Sequence, residues 1–141
     1  MKIKKAFILF LILIIILSTI FIVYKNDNSF YNKYNVSKDN FIKLSNKELD
    51  ERLNKTGIIY LYDKKENKSN IVKELNKLSK KNNISIYYTN KDNVKNNLKS
   101  YKILFIKNGK VEYKYKNINS KALEKNFNDL YEDICNEKIG C

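Results

Sequence analysis

IIYLYDKKENKSNIVKEL, residues 58–75, passes from a strand through a turn into a helix. Ile58 to Tyr62 is continuously apolar and rich in branched and aromatic side chains. That is how a strand buried on both faces reads, which places it inside a partly parallel sheet. The polar turn DKKENK follows. From Ser69 to about Lys81, Ile71, Val72, Leu75 and Leu78 recur at helical spacing with lysines opposite. Ile84 to Tyr88 is a second apolar run. Strand, helix and strand within about 30 residues make a βαβ unit, which should be right-handed.

Downstream, KDNVKNNLKS (91–100) suggests a short helix or an irregular crossover, and Ile103 to Ile106 a third strand. Asn108-Gly109 signals a hairpin, because a type I′ turn needs positive φ at both positions. Val111, Tyr113 and Tyr115 then alternate with Glu112 and Lys114, so the fourth strand has one wet face. A last helix is expected from about Asn119, with Ile118 and Leu123 as a staple. Leu123, Phe127, Leu130 and Ile134 form its apolar face and Gly140 its terminator. Upstream, Ser45-x-x-Glu48 fits a capping box, flanked by Leu44 and Leu49 as a staple, and Gly57 reads as the stop of that helix. The expected fold is α/β, a mixed four-stranded sheet with flanking helices.

Residues 6–23, AFILFLILIIILSTIFIV, are an unbroken uncharged run. As a helix these span about 27 Å, close to the ~30 Å hydrocarbon core of a bilayer. Small residues in a cleavable pattern are missing after Ser18-Thr19, and no Cys lies near the end of the run to take a lipid, so an uncleaved anchor is expected. Lys2, Lys4 and Lys5 crowd the amino end, which puts the N-terminus in the cytoplasm and the rest outside. The expected organisation is a cytoplasmic N-terminus (1–5), a transmembrane anchor (6–24), a loosely ordered tether (25–40) and a domain (41–141). Tyr31 and Tyr34 of the tether read either as headgroup-level rings or as ordinary loop tyrosines.

Composition narrows the chemistry. The 141 residues suit one modest domain, and there is no His, Pro or Trp and a single Arg, Arg52. Imidazole is therefore excluded as base or metal ligand. The net charge is +13; without the four lysines of the first 25 residues, the remainder carries +9. Lys, Asn, Ile and Tyr are what AT-rich codons specify, which accounts for part of this bias. The lysines are interleaved with acids, as on a solvated face. Asp63, Glu66 and Asp92 could meet a hard cation, but no calcium loop pattern exists, so no metal is expected. No glycine-rich phosphate loop occurs and no carboxylate pair stands out. Tyr60, Tyr62, Tyr87, Tyr88, Tyr113 and Tyr115 fall on the strands. Strand propensity explains them better than base or sugar stacking does.

Two segments carry a family resemblance. TGIIYLY with its turn and SNIVKELNKLSKKNNISIYY is similar to the central βαβ of the thioredoxin-like family. YKILFIKNGKVEYKYKNINSKALEKNF looks like its hairpin and closing helix. The match covers about residues 41–135. The resemblance implies a C-x-x-C motif at the start of the helix after the first central strand and a cis-proline before the hairpin. Those positions fall here on Lys65, Glu66, Asn67 and Lys68, and on Tyr101. Dithiol exchange needs a thiolate of lowered pKa and a second, resolving thiol. Lysine and asparagine supply neither. A non-proline cis bond would cost ~2.5–4 kcal/mol, so Tyr101 is expected to be trans.

Cys135 and Cys141 are the only thiols. They read as a staple for the chain end or as two unpaired thiols, ahead of a redox pair displaced to the tail; a disulfide needs their Cα atoms within ~7 Å. The anchor, size and sheet pattern are similar to the bacteriocin transport accessory proteins of Gram-positive bacteria, whose usual members keep cysteines. The resemblance implies a redox-inactive, membrane-anchored binding protein, without cofactor, serving an exported peptide or its transporter. A thiol-disulfide oxidoreductase using Cys135 and Cys141, and a basic domain for anionic wall polymer or lipid, are the alternatives. Nucleic acid is not expected as a partner.

Overall fold

The computed structural model describes residues 2–65, 69–117 and 119–137, except for the side chains of 24–29, 69 and 130–137. The chain divides into two compact units, Met1–Asn35 and Val36–Cys141.

The first unit is one helix, α1 (Lys2–Tyr34), whose stretch Lys2–Val23 is long and apolar enough to cross a membrane. Its large apolar side chains are exposed, as expected of a helix awaiting a lipid solvent. The two hydroxyls in the run are satisfied inside the helix. Ser18 Oγ and Thr19 Oγ1 both donate to the Ile15 carbonyl, at 2.9 and 2.8 Å. Of the stretch 25–40 expected to be loosely ordered, residues 25–34 are helical, because α1 continues to Tyr34. Extending a formed helix adds one hydrogen bond per residue fixed, so an apolar helix carries a polar extension cheaply. Phe30 also packs on Tyr34 one turn later, with ring centroids 4.9 Å apart. Asn35, at φ 52°, takes the left-handed conformation that ends helices.

The second unit is α/β. Its sheet has five strands, one more than expected: β1 (Phe41–Lys43), β2 (Gly57–Tyr62), β3 (Ile86–Asn90), β4 (Ile103–Lys107) and β5 (Lys110–Tyr115). They lie in the order β1-β3-β2-β4-β5. β1 and β2 both run parallel to β3, with Phe41 opposite Ile86 and Ile59 opposite Tyr87. β4 is antiparallel to β2, and β5 to β4. β2 is therefore central and buried on both faces. β1 was illegible in the sequence because only Phe41 of its three residues is buried, too little to show a period.

Three helices cover the sheet: α2 (Asn46–Leu53), α3 (Ser69–Asn82) and α4 (Ser120–Glu137). The α2 start is the expected capping box. Ser45 Oγ accepts from the Glu48 N–H at 3.4 Å, and Glu48 Oε2 accepts from the Ser45 N–H at 2.8 Å. Ser45→Ala should lower stability by about 1 kcal/mol, read as a shift in the urea midpoint at constant slope. Gly57 does not stop this helix. α2 ends at Leu53, and Gly57 opens β2. A Cβ on Gly57 would stand 2.8 Å from Arg52 Nη2, which donates to the Thr56 carbonyl at 2.6 Å. The Arg52 guanidinium also stacks on the Tyr87 ring, 4.1 Å from its centroid. The one arginine is thus a structural clamp.

α3 ends where Asn83 adopts φ 52° and the Ile84 N–H reaches back to the Ser79 carbonyl at 3.1 Å. This is a Schellman cap. It draws Ile84 into the helix end, so β3 begins at Ile86 and runs to Asn90 rather than spanning 84–88. Segment 91–100 is irregular after a single 3₁₀ turn, Lys91–Asn93. The Asn108-Gly109 hairpin forms with φ 50° and 77°, as the sequence requires.

The two faces of the sheet carry separate cores. Ile59, Leu61, Leu104 and Ile106 pack with Leu44, Leu49 and Val94, beneath α2 and the 91–101 segment. On the other face, Phe105 meets Phe127 of α4 edge-on at 6.2 Å. Lys81 of α3 pairs with Glu124 of α4 at 2.5 Å, so these two helices share that face.

Candidate functional site

Register brings four chain segments to one end of the sheet. β2 and β3 end there, β4 begins there, and β5 ends there. The turn after β2 starts with Asp63, whose Oδ1 accepts from the Lys65 N–H at 3.0 Å. Its Oδ2 pairs at 2.5 Å with Lys91 Nζ, at the end of β3. The Lys91 hydrogen bond, then the Lys65 amide, hold the Asp63 carboxyl below its ordinary value against the opposing effect of burial; the charges of Lys91 and Lys102 act in the same lowering sense. A depressed carboxylate contributes stability above its unfolded pKa and loses it as pH falls through the lower folded value. Asp63→Asn should therefore be less stable than the parent at pH 6. That difference should fade below about pH 4, where an unfolded aspartate titrates, and melting temperatures across pH 2–7 read it directly.

The segment before β4 supplies Tyr101 and Lys102. The bond before Tyr101 is trans, as expected, for no cis peptide occurs among the described residues. The backbone here is largely engaged. The Tyr101 N–H donates to the Leu98 carbonyl at 3.0 Å, and the Lys102 N–H to the Tyr115 carbonyl at 2.6 Å. The Lys102 carbonyl accepts from the Leu61 N–H at 2.7 Å. A partner strand could not add to these atoms. The half-buried Tyr101 ring instead carries cations, with Lys114 Nζ 5.0 Å and Lys116 Nζ 5.2 Å from its centroid. Two ammonium groups beside one ring make a positive rim, and the negative face of the ring holds them there.

Lys116 also lines a cleft of about 510 Å³. Asn70, Lys73 and Glu74 of α3 form one wall, and Lys116, Asn117 and Ser120 the other. Its size suits a small ligand or one or two side chains of a larger one. Ile71 also lines it, so its surface is part apolar, and no catalytic pair is assembled in it among the described residues. Tyr115 is held by Asn126 of α4, whose Nδ2 donates to the tyrosine hydroxyl. Burial, then the neighbouring Tyr113, raise the Tyr115 pKa, so this hydroxyl stays protonated.

Lys65 is exposed on the turn, while Glu66, Asn67 and Lys68 lie outside the described residues. Cys135 lies in α4, but its side chain lies outside them, as do the side chains of Leu130 and Ile134 and the whole of Ile118, Gly140 and Cys141. No cluster of potential metal-ligating side chains forms among the described residues. Tyr60 and Tyr88 are buried core residues and Tyr113 is exposed at the edge. The sequence reading missed Lys114 and Lys116 as a site. The signal available was their two-residue spacing, Lys114 on β5 and Lys116 just past its end, which in extended chain puts both on one face. No family model, no curated protein and no solved structure matches this chain.

Proposed function

We propose that this chain is a membrane-anchored, thioredoxin-like binding protein that has no working dithiol. In this reading α1 is an uncleaved signal anchor and the α/β unit faces the outside of a Gram-positive cell. The unit serves an exported peptide or its secretion machinery, as the resemblance to bacteriocin transport accessory proteins implies. Support for the fold comes from the parallel β2-α3-β3 unit, the antiparallel β4–β5 hairpin beside β2, and the closing helix α4.

One observation carries the binding role. Where the resemblance would put reactive sulfur there is no cysteine, none lying between residues 36 and 134, and the same end of the sheet presents the exposed Lys65 and the Lys114–Tyr101–Lys116 rim. Such groups recognise partners; they do not exchange disulfides. The purified full-length chain should not turn over insulin disulfides. Capture from membranes should recover one peptide or transporter component, unchanged by Cys135→Ser. Insulin reduction that disappears in Cys135→Ser would establish the oxidoreductase reading instead. The basic rim also favours a second reading, a domain for anionic wall polymer. Attachment to purified wall that collapses between low and physiological salt would select it.

A further inference from the structure

The hairpin that carries the rim also forms an unpaired edge of the sheet. β5 is the last strand in the order, so its outer row of backbone donors and acceptors has no strand partner among the described residues. Lys110, Glu112, Tyr113 and Lys114 are exposed along it. From Tyr101 to Asn117 the sequence holds five lysines and one acid, Glu112. Register shifts between Phe105 and Ile106, which leaves Glu112 as the extra residue between Val111 and Tyr113.

Edge lysines and a bulge are the usual guards against edge-to-edge association, and between two copies of this chain they repel. The same charges reverse sign as a selection rule. A strand carrying carboxylates meets cations along β5 and at the Lys114–Tyr101–Lys116 rim, while its backbone completes the open row. The opposite edge, β1, is only three residues long. We infer that β5 takes an acidic, extended peptide segment as a sixth strand, next to the Lys114–Tyr101–Lys116 rim. This rests on the proposed binding role and specifies the chemistry of the partner. A peptide is favoured over polymer or lipid because the site offers an unfilled backbone row as well as charge.

The test uses the full-length chain in nanodiscs of zwitterionic lipid. The probes are a fluorescent eight-residue peptide of alternating Glu and Val, its Lys-for-Glu counterpart, and an acidic version N-methylated at alternate amides. The acidic peptide should bind at low salt and the basic one should not. N-methylation should abolish binding, since it removes the donors a sixth strand needs. Lys114→Glu with Lys116→Glu should weaken the acidic peptide at least tenfold, whereas Lys47→Glu with Lys80→Glu, the same charge change on exposed helical positions, should leave it within about twofold. Equal binding of the N-methylated and unmodified acidic peptides overturns the inference, leaving charge alone. Displacement of the peptide by anionic vesicles, with vesicle binding also lost in the Lys114/Lys116 variant, overturns it in favour of lipid. If membrane capture yields one partner and the Lys114/Lys116 variant captures it equally, the inference fails and the accessory role stands. If the acidic peptide binds as expected but capture yields nothing, the accessory role fails and the acidic-strand site stands.

Discussion

Phe105→Ala is expected to lower the unfolding free energy of the Val36–Cys141 unit by about 3–5 kcal/mol, the usual cost of emptying a core phenylalanine site. Phe105 is fully buried. Its ring meets Tyr115 at 5.7 Å, Phe127 at 6.2 Å and Tyr113 at 6.4 Å, each near edge-on. It therefore joins β4, β5 and α4, and its removal leaves three rings without a common partner. A domain of this size has only about 5–15 kcal/mol in total, so the variant should keep half or less at the low end of that range. Urea titration of the two proteins gives the difference. Tyr113→Ala is the internal contrast. With 39% of its surface still in solvent, its loss should cost far less. Equal effects at the two positions would mean that the hairpin does not pack on α4 through Phe105.

Arginine at both Leu13 and Ile16 should release the chain from the membrane fraction. These positions lie near the middle of the 6–23 run. Each arginine costs about 2.5–3.5 kcal/mol at the centre of a spanning helix, so the pair costs roughly 5–7 kcal/mol. That changes a partition ratio by more than a thousandfold, which carbonate extraction detects easily. A parent protein whose mature N-terminus begins beyond Val23 would show that α1 is removed rather than retained.

Much of the α/β unit is legible in local pattern. Ser45 and Glu48 announce α2, Ile71, Val72, Leu75 and Leu78 announce α3, and Asn108-Gly109 fixes the hairpin. Each signal acts within a turn or two of chain, where sterics and periodicity decide. The misreadings have a common cause. Gly57 looked like a helix stop because the partner that demands a glycine there, the Arg52 guanidinium, arrives by folding of the loop. Ile84 looked like a strand residue because its apolar side chain fits either a strand or a Schellman cap. β1 exists only by pairing with β3, more than 40 residues away in the sequence.

The sequence alone settled the elements that hydrophobic period, capping and turn chemistry write into neighbouring residues, and the uncharged span at the amino end. It also settled that no histidine, and no thiol between residues 36 and 134, is available for chemistry. Tertiary structure decided which strands lie side by side, and so that the turn at Lys65, the segment at Tyr101 and the end of β5 share one end of the sheet. Only there do Lys114 and Lys116 flank one tyrosine ring. The physical reason is that strand order is chosen by long-range hydrogen bonding and burial, which no window of sequence contains.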